Sequence, residues 1–507
     1  MPATRIICPL TASTTAEMRA QMLAAARDGA DAVELRLDYL AIRPTRQDLA
    51  DLLADAPLPT IATCRPTAEG GRFTGGECDR LAVLADAATL GATWVDVEAG
   101  VTPHYRPAPA GKQILSRHDF KRCPPDLDEI VAGLDRDDAA INKIAFASAG
   151  PEDALRAFDV IRTCRKPTIA LAMGEAGVIS RILAGKLGAF GTFAALDAAT
   201  RSAPGQPTLD EFVGLYRAKS LTPETHVYGV IGCPVGHSMS PAIHNAAFAA
   251  AGMDACYVPL LIQPDEDDFR RFMDAVLARP WLDLRGLSVT IPHKEHALRY
   301  VGADRCDPLA VKIGAVNTIT VSSDGELAGD NTDYAGALDS LAGGMGITPQ
   351  QLKGRRVAVI GAGGVARAIV AGLTHWGCDV TIHNRTVPRG EALAEEFGCR
   401  ALPLSAAADA DAEIVINCTS LGMHPKVDAA PLERIAPGVR VVFDTIYNPL
   451  ETRLLAMARA AGCLAVSGLE MFVNQAAAQF ETWTERPAPR DVMREVTISR
   501  LAGGGER

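Results

Sequence analysis

The sequence predicts an α/β chain in two halves: an N-terminal (β/α)8 TIM barrel, then a smaller α/β unit joined to an open, doubly wound nucleotide-binding sheet of the Rossmann type. Three observations predict it. Eight short β-rich runs alternate with helix-length segments between residue 5 and about 197. A polar, proline-containing stretch, RAKSLTPETH at 217–226, interrupts that alternation and reads as a linker. Beyond it, RRVAVIGAGGVARAIVAGL gives a strand, a glycine turn and a helix in immediate succession. At 507 residues and roughly 150 per domain, about three domains are expected.

In chain order the eight strands are RIICPL, DAVELRLD, TIATCRP, TWVDVEA, QILSRHDF, INKIAFA, PTIALAMG and AFGTFAAL. Between the first two lies TAEMRAQMLAAARDG, whose apolar residues recur at helical spacing and whose glycine ends the helix. A barrel of this kind collects chemistry at the carboxyl ends of its strands. Glu34 and Arg36, Arg65, Asp96 and Glu98, His118 and Lys143 all fall within or near the ends of strands 2 to 6. Charged groups inside apolar strands are costly to bury alone, so their concentration points either to a reaction centre or, more blandly, to a buried ion-pair network.

The second half opens with VYGVIGCPVGHSMSPAIHNAAF, a strand, a loop and a helix, in a unit that runs to about 335. The nucleotide-binding pattern continues through DVTIHNRT, EIVINCTS, VVFDTIY and LAVSG, and the tail EMFVNQAAAQFETW reads as an amphipathic helix returning to the preceding unit. The expected division is 1–219 for the barrel, 220–335 completed by 470–507 for the substrate domain, and 336–469 for the nucleotide domain.

Composition narrows the function. Lys and Arg number 50 against 61 Asp and Glu, a net charge of −11, which gives no support to an extended nucleic-acid surface. Hydrophobic residues at 48% and charged residues at 22% suit a soluble globular chain, and no run approaches 18 uninterrupted apolar residues. The 12 cysteines form no CxxC pair, so they read as reduced residues of a cytoplasmic protein and no metal site is expected.

Gly361, Gly363 and Ala366 match the dinucleotide turn, which offers backbone amides and a helix N-terminus to a pyrophosphate. At the end of the next strand, where an NAD site usually carries Asp or Glu, stand Asn384, Arg385 and Thr386. A guanidinium binds a 2′-phosphate and a carboxylate repels one, so the expected cofactor is NADP(H).

These motifs together resemble two families. VELRLD, CRPTAEGG, VDVE, SRHDF, NKIA, GVISR and SAPGQ resemble type I 3-dehydroquinate dehydratase; GHSMSPAIHN, SVTIPHK, IGAVNT, GDNTD, GAGGVA, NRT, NCTSLGM and GLEMFVNQA resemble shikimate dehydrogenase. The order is similar to that of the plant-type bifunctional fusion. The first resemblance implies Lys143 as the Schiff-base lysine, His118 as general acid and base, and Glu69 as its acidic partner. It implies substrate contacts from Glu34, Arg36, Arg65, Arg181, Ser202 and Gln206. An apolar strand and neighbouring cations would help Lys143 to be neutral for attack.

The second resemblance implies Lys294 and Asp333 as the catalytic pair, with substrate contacts from Ser238, Ser240, Thr290, Asn317, Tyr447 and Gln475. It adds Gly364, Thr419 and Gly468 to the cofactor residues. One departure is visible: Ser288 replaces the Asn of many single-function enzymes, and a hydroxyl cannot give the donor and acceptor pair of an amide.

The implied activity is dehydration of 3-dehydroquinate followed by NADPH-dependent reduction of 3-dehydroshikimate to shikimate, with small molecules as the partners. Two rivals are a quinate dehydrogenase in the second half and a non-catalytic sensor of pathway intermediates. Oligomeric state is left open by the sequence.

Overall fold

The computed structural model describes residues 4–203 and 205–503. Pro204 of the SAPGQ motif, residues 1–3 of the barrel segment and 504–507 of the closing segment lie outside the described residues. The chain divides into two compact units, Met1–Pro241 with Asp254–Leu284 and Ala242–Met253 with Arg285–Arg507.

In the first unit the order is β1 (Arg5–Leu10), α1 (Thr15–Arg27), β2 (Ala32–Arg36), α2 (Arg46–Leu53), β3 (Thr60–Thr63), α3 (Glu77–Thr89), β4 (Trp94–Glu98) and β5 (Gln113–Asp119). It continues with α4 (Leu127–Arg136), β6 (Ile141–Ala147), α5 (Pro151–Thr163), β7 (Thr168–Met173), α6 (Ile179–Ile182) and β8 (Gly191–Phe193). All eight expected strands are present. They pair in parallel in the order β7-β6-β5-β4-β3-β2-β1-β8. Beside the open seam, Phe190 N donates to Thr168 O at 2.9 Å, so the barrel is nearly closed.

Alternation along the strands sorts the side chains. Val33, Leu35, Val95 and Val97 point outward into a layer with Met18, Met22, Val83 and Leu84 of the surrounding helices. Ile7, Ala32, Ile61, Ile114, Ile141 and Ile169 point inward and fill the barrel floor. Each buried aliphatic side chain of this size contributes roughly 1.5–3 kcal/mol. Above this floor the inward positions turn polar, which is where the charged residues of the sequence reside.

The stretch 217–226 is anchored rather than a loose tether. Lys219 Nζ lies 2.8 Å from Asp31 Oδ1, Lys186 Nζ donates to Pro223 O at 2.7 Å, and Thr222 and Thr225 both bond the Asp254 carboxylate. It leads into β9 (His226–Gly232), α7 (Ser240–Ala250, which from Ala242 onward belongs to the second unit), β10 (Ala255–Leu261) and α8 (Glu266–Leu277). β9 and β10 pair in parallel over seven residues, α8 packs on α5, and Arg279 holds Asp159 at 3.0 Å.

The second unit carries β11 (Leu284–Val289), α9 (Lys294–Val301), α10 (Pro308–Ile313), β12 (Thr318–Val321), β13 (Leu327–Asp330) and α11 (Thr332–Met345). β11, β12 and β13 are antiparallel neighbours. Then come β14 (Arg356–Ile360), α12 (Gly364–His375), β15 (Asp379–Asn384), α13 (Val387–Phe397), β16 (Arg400–Pro403), β17 (Ile414–Asn417), β18 (Val441–Asp444), α14 (Arg453–Ala460) and β19 (Leu464–Ser467). These six strands form a parallel sheet in the order β16-β15-β14-β17-β18-β19. Val357, Val359 and Ile382 pack on Ile369 and Phe397, while Ala358, Val415 and Val442 pack on Leu454 and Ala458. Both faces are thereby covered, as a parallel sheet requires.

The tail forms α15 (Gly468–Thr484) and α16 (Arg490–Gly503). As the sequence suggested, α15 returns to the elements before the nucleotide sheet. It packs on α11, and Trp483 Nε1 donates to Ile319 O of β12 at 3.1 Å. At the crossing a Cβ on Gly336 would stand 2.7 Å from Gln475 N, so only glycine permits this approach.

Within the same core His244 is fully buried, with Nε2 3.3 Å from Gln479 Oε1 and its ring 5.3 Å from Trp483. Burial pushes its pKa down to about 3. Between about 6.5 and 3 the unfolded chain therefore takes a proton that the folded chain refuses, and stability falls as pH falls through that window. His244→Phe is expected to make the denaturation midpoint less pH-dependent from 6.5 to 4. Parallel curves for variant and wild type would assign the acid sensitivity to other groups.

Candidate active sites

Glu34 and Arg36 on β2, Asp96 and Glu98 on β4, and Ser116 and His118 on β5 are pairs two residues apart, so each pair shares the inner face of the barrel. Glu34, Arg36 and His118 line a cavity together with Arg65, Glu69, Lys143, Arg181, Ser202 and Gln206, and Asp96, Glu98 and Ser116 adjoin it through their bonds to Arg65. Every residue that the sequence assigned to the first reaction is thus brought to one site.

Lys143 Nζ is 2.8 Å from Asp96 Oδ2 and 3.2 Å from Glu34 Oε1, and it lies 4.5 Å from the centre of the Phe193 ring. Its immediate neighbours are therefore carboxylates, not the cations expected from sequence. The reason is strand parity. Glu34, Asp96, Lys143 and Phe193 come from β2, β4, β6 and β8, and alternate strands supply one layer of a barrel interior.

Arg65 organises the adjoining charges, donating to Asp96 Oδ1 and Glu98 Oε1 at 2.7 Å each and to Ser116 Oγ at 2.9 Å. Arg80 supports Glu98 from behind at 2.6 Å. Burial alone would raise the Asp96 pKa, but Arg65 and Lys143 carry it well below the usual carboxylate range. The ion-pair network and the reaction centre are thus one structure; the sequence singled out Asp96 and Glu98 without giving either a role, and Ser116 and Arg80 are members that it did not name. The signal for Asp96 was present in the even-strand parity; Arg80, on a helix, gave none.

His118 Nδ1 is 3.3 Å from Glu69 Oε2, and its ring stacks on Phe120 at 5.9 Å. Burial, then Arg65 and Lys143, lower its pKa well below the ordinary histidine value. It is a neutral imidazole at physiological pH, able to accept a proton. Burial raises the Glu69 pKa against the opposing pull of Arg65.

Arg36 is held by Asp38 through two bonds of 3.0 and 2.8 Å. Arg181 differs: it is 2% exposed, its Nε has no partner among the described residues, and burial pushes its pKa down to about 10. Gln206 bonds Ser202 Oγ at 3.1 Å through Oε1 while its buried Nε2 has no partner among the described residues. A buried guanidinium without a counter-charge is costly, so this corner is built for an anion that arrives with the substrate.

In the second unit Lys294 opens α9 and Asp333 lies in the first turn of α11, and Nζ meets Oδ2 at 2.5 Å. Asn331 caps α11 by accepting from Asp333 N at 3.1 Å and donates to Ala315 O at 2.9 Å. Asn317 is buried and its Oδ1 accepts from Thr332 N at 2.7 Å. Thr290 stands just before α9, and its carbonyl accepts from His293 N at 2.9 Å. Gln475 lies on α15 beside Gly336, and the Tyr447 ring stacks on Phe472 at 4.8 Å.

Ser238 and Ser240 belong to the first unit, where Ser238 Oγ accepts from Ser240 N at 3.2 Å at the start of α7. Ser288 donates to Gln479 Oε1 at 2.7 Å, so its hydroxyl is engaged by a glutamine that sequence reasoning overlooked. Gln479 stands on the same helix as Gln475, four residues on, and reads from sequence as one more polar helix residue.

The dinucleotide turn fits the expected cofactor. Gly361 has φ of +111°, which disfavours any side chain, and a Cβ on Gly363 or Gly364 would meet nothing within 4 Å. The space above the α12 N-terminus is open to a phosphate, with Ala366 buried behind it. Arg385 and Thr386 are exposed at the end of β15, Asn384 Nδ2 bonds Thr386 O at 2.8 Å, and Arg385 makes no ion pair among the described residues. Thr419 follows β17, and Gly468 opens α15 against Thr445 and Ile446.

Residues 6–223 match the type I 3-dehydroquinase family model, and 230–319 match the shikimate dehydrogenase substrate binding domain. Residues 346–447 match shikimate/quinate 5-dehydrogenase and 468–497 the shikimate 5′-dehydrogenase C-terminal domain. The bifunctional 3-dehydroquinate dehydratase/shikimate dehydrogenase, chloroplastic, of Arabidopsis thaliana is 40% identical over 510 residues, covering 96% of this chain and 83% of its own. The NADP(+) shikimate dehydrogenases of Methanosarcina acetivorans and Symbiobacterium thermophilum are 42% and 43% identical, covering 54% and 55% of this chain and 98% and 95% of their own. With the barrel cavity assembled around Lys143 and that identity sustained along both halves, the chain belongs to the family of bifunctional 3-dehydroquinate dehydratases/shikimate dehydrogenases.

Proposed function

We propose that the chain dehydrates 3-dehydroquinate to 3-dehydroshikimate in the barrel and reduces that product to shikimate with NADPH in the second half. The observation that carries the reading is Lys143, a buried strand lysine held by two carboxylates beside a neutral histidine. The proposed division is 1–219, 220–335 completed by 470–507, and 336–469. No helix among the described residues is long and apolar enough to cross a membrane, and a cytoplasmic location is part of the proposal.

Lys143 attacks the ketone as a free amine, passing its proton toward the carboxylates within 3.2 Å, and water leaves to give an iminium. That iminium is an electron sink for the adjacent C–H bond. Neutral His118 takes the proton, and the imidazolium so formed, steadied by Glu69, returns it to the departing hydroxyl. Arg181, Ser202 and Gln206 hold the substrate carboxylate, with Glu34, Arg36 and Arg65 around the ring. Hydrolysis of the iminium frees product and Lys143.

When bound, NADPH supplies a hydride to the ketone of 3-dehydroshikimate. Lys294 donates a proton to the oxygen as negative charge develops there, and Asp333 orients the ammonium. Ser238 and Ser240 take the carboxylate, while Thr290, Asn317, Tyr447 and Gln475 contact the ring. Gly361, Gly363, Gly364, Ala366, Thr419 and Gly468 cradle the dinucleotide, and Asn384, Arg385 and Thr386 take its 2′-phosphate.

Incubation with 3-dehydroquinate and NADPH, with the product identified by chromatography, tests the reading. Shikimate is expected. Quinate would show that the second half reduces the first substrate directly, and no turnover would turn the chain into a binding protein. Arg385→Ala is expected to raise KM for NADPH about tenfold or more, the size of a charge-assisted phosphate contact, and to leave KM for NADH unchanged.

A further inference from the structure

At the carboxyl edge of the nucleotide sheet, the last residues of β17 and β18, Asn417 and Asp444, are register partners. Both are fully buried, and Asp444 enters no ion pair among the described residues. A buried carboxylate without a cation survives only if its oxygens are saturated by donors. Here Oδ1 accepts from Asn417 Nδ2 at 2.9 Å and from Ile446 N at 3.2 Å, and Oδ2 accepts from Thr452 Oγ1 at 2.7 Å.

The consequence runs through Asn417. A carboxylate only accepts, so it obliges Asn417 to present its amide nitrogen to Asp444 and its oxygen to the other side. There Oδ1 accepts from Thr419 N at 3.0 Å and from Thr419 Oγ1 at 2.7 Å. Thr419 Oγ1 accepts in turn from Leu421 N at 3.2 Å. With its hydroxyl engaged on both sides, Thr419 is left with its methyl 3.1 Å from the Cβ position of Gly361, against the dinucleotide turn. The same carboxylate ties down the segment from Ile446 to Thr452, which carries Tyr447.

We propose that Asp444 is a positioning residue for the NADP(H) site: it sets the amide orientation of Asn417, and through it the placement of Thr419 against the glycine turn. This rests on the reading that Thr419 and Gly361 border the bound dinucleotide. Only a carboxylate accepts on both sides: an amide at 444 must turn its nitrogen either on Thr452 Oγ1, which then loses its acceptor, or on Asn417, which then flips and turns its own donors on Thr419.

The test uses the full chain, whose dehydratase rate is an internal control. Asp444→Asn is expected to raise KM for NADPH about tenfold, the worth of one buried hydrogen bond, with kcat within about twofold and the dehydratase rate unchanged. The exchange variant Asn417→Asp with Asp444→Asn keeps one carboxylate and one amide in the pair and restores the acceptor for Thr419. It is expected to recover most of that loss, although Ile446 N forfeits its acceptor. A normal KM in folded Asp444→Asn, or an exchange variant as impaired as the single one, overturns the proposal. If Asp444→Asn does not fold, the exchange variant decides alone by the same criterion. Thr419→Val separates the underlying reading, because an unchanged KM there removes Thr419 from the cofactor site, whatever Asp444 does.

Discussion

Lys143→Ala is expected to lower the dehydratase rate by about 10⁴-fold or more, since losing the nucleophile leaves only binding and proton transfer. The same variant should still make shikimate when supplied with 3-dehydroshikimate and NADPH, because the reductase residues lie elsewhere in the chain. Folding should survive: Asp96 keeps Arg65 and Ser116, and Glu34 keeps the Thr63 hydroxyl at 2.9 Å. Lys143→Met preserves the stem beside Phe193 and serves as a second check. Borohydride added during turnover should attach a substrate-sized mass to the wild type and none to either variant. A variant retaining a tenth of the dehydratase rate would exclude an iminium at Lys143.

The second large effect belongs to Lys294→Met, which should slow the reduction of 3-dehydroshikimate by roughly 10²–10⁴-fold, the usual worth of a general acid. The loss is expected in kcat rather than in KM for either substrate, because the proton is needed only as charge develops on the oxygen. NADPH consumption with supplied 3-dehydroshikimate measures it, and the unchanged dehydratase rate verifies the preparation. Asp333→Asn should cost less, since the ammonium remains but is less well held. Equal kcat for Lys294→Met and wild type would return that pair to the status of a partly exposed salt bridge.

The barrel was legible because its strands obey two constraints at once: outward residues such as Val95 and Val97 pack on helices, and inward ones such as Glu34 and Lys143 line the cavity. Turn glycines and strand-end charges did the same for β14 and β15. The strand β16, four residues at a sheet edge with the sequence RALP, went unread because nothing in it alternates or is deeply buried. The partners of Lys143 were misjudged because contacts across a barrel follow strand parity, not proximity along the chain. Gln479 and Asp444 escaped because a buried polar network has no periodic signature; only its three-dimensional closure separates it from helix-surface polarity or a strand-end turn.

The return of α15 to α11 bears on how the chain is made. The eight barrel strands have all their partners once β8 has emerged, whereas α11 must wait for the whole nucleotide sheet to be synthesised before α15 can cover the flank that carries Gly336 and Ser340. At roughly 5–20 residues per second that is a delay of roughly 6 to 28 seconds on the ribosome. During it α11 presents a bare flank, a natural landing place for chaperones. The dehydratase should therefore mature first on a nascent chain, with the reductase completed only by its closing helix. Chains stalled before Gly468 are expected to show protease-resistant barrels and a cleavable α11.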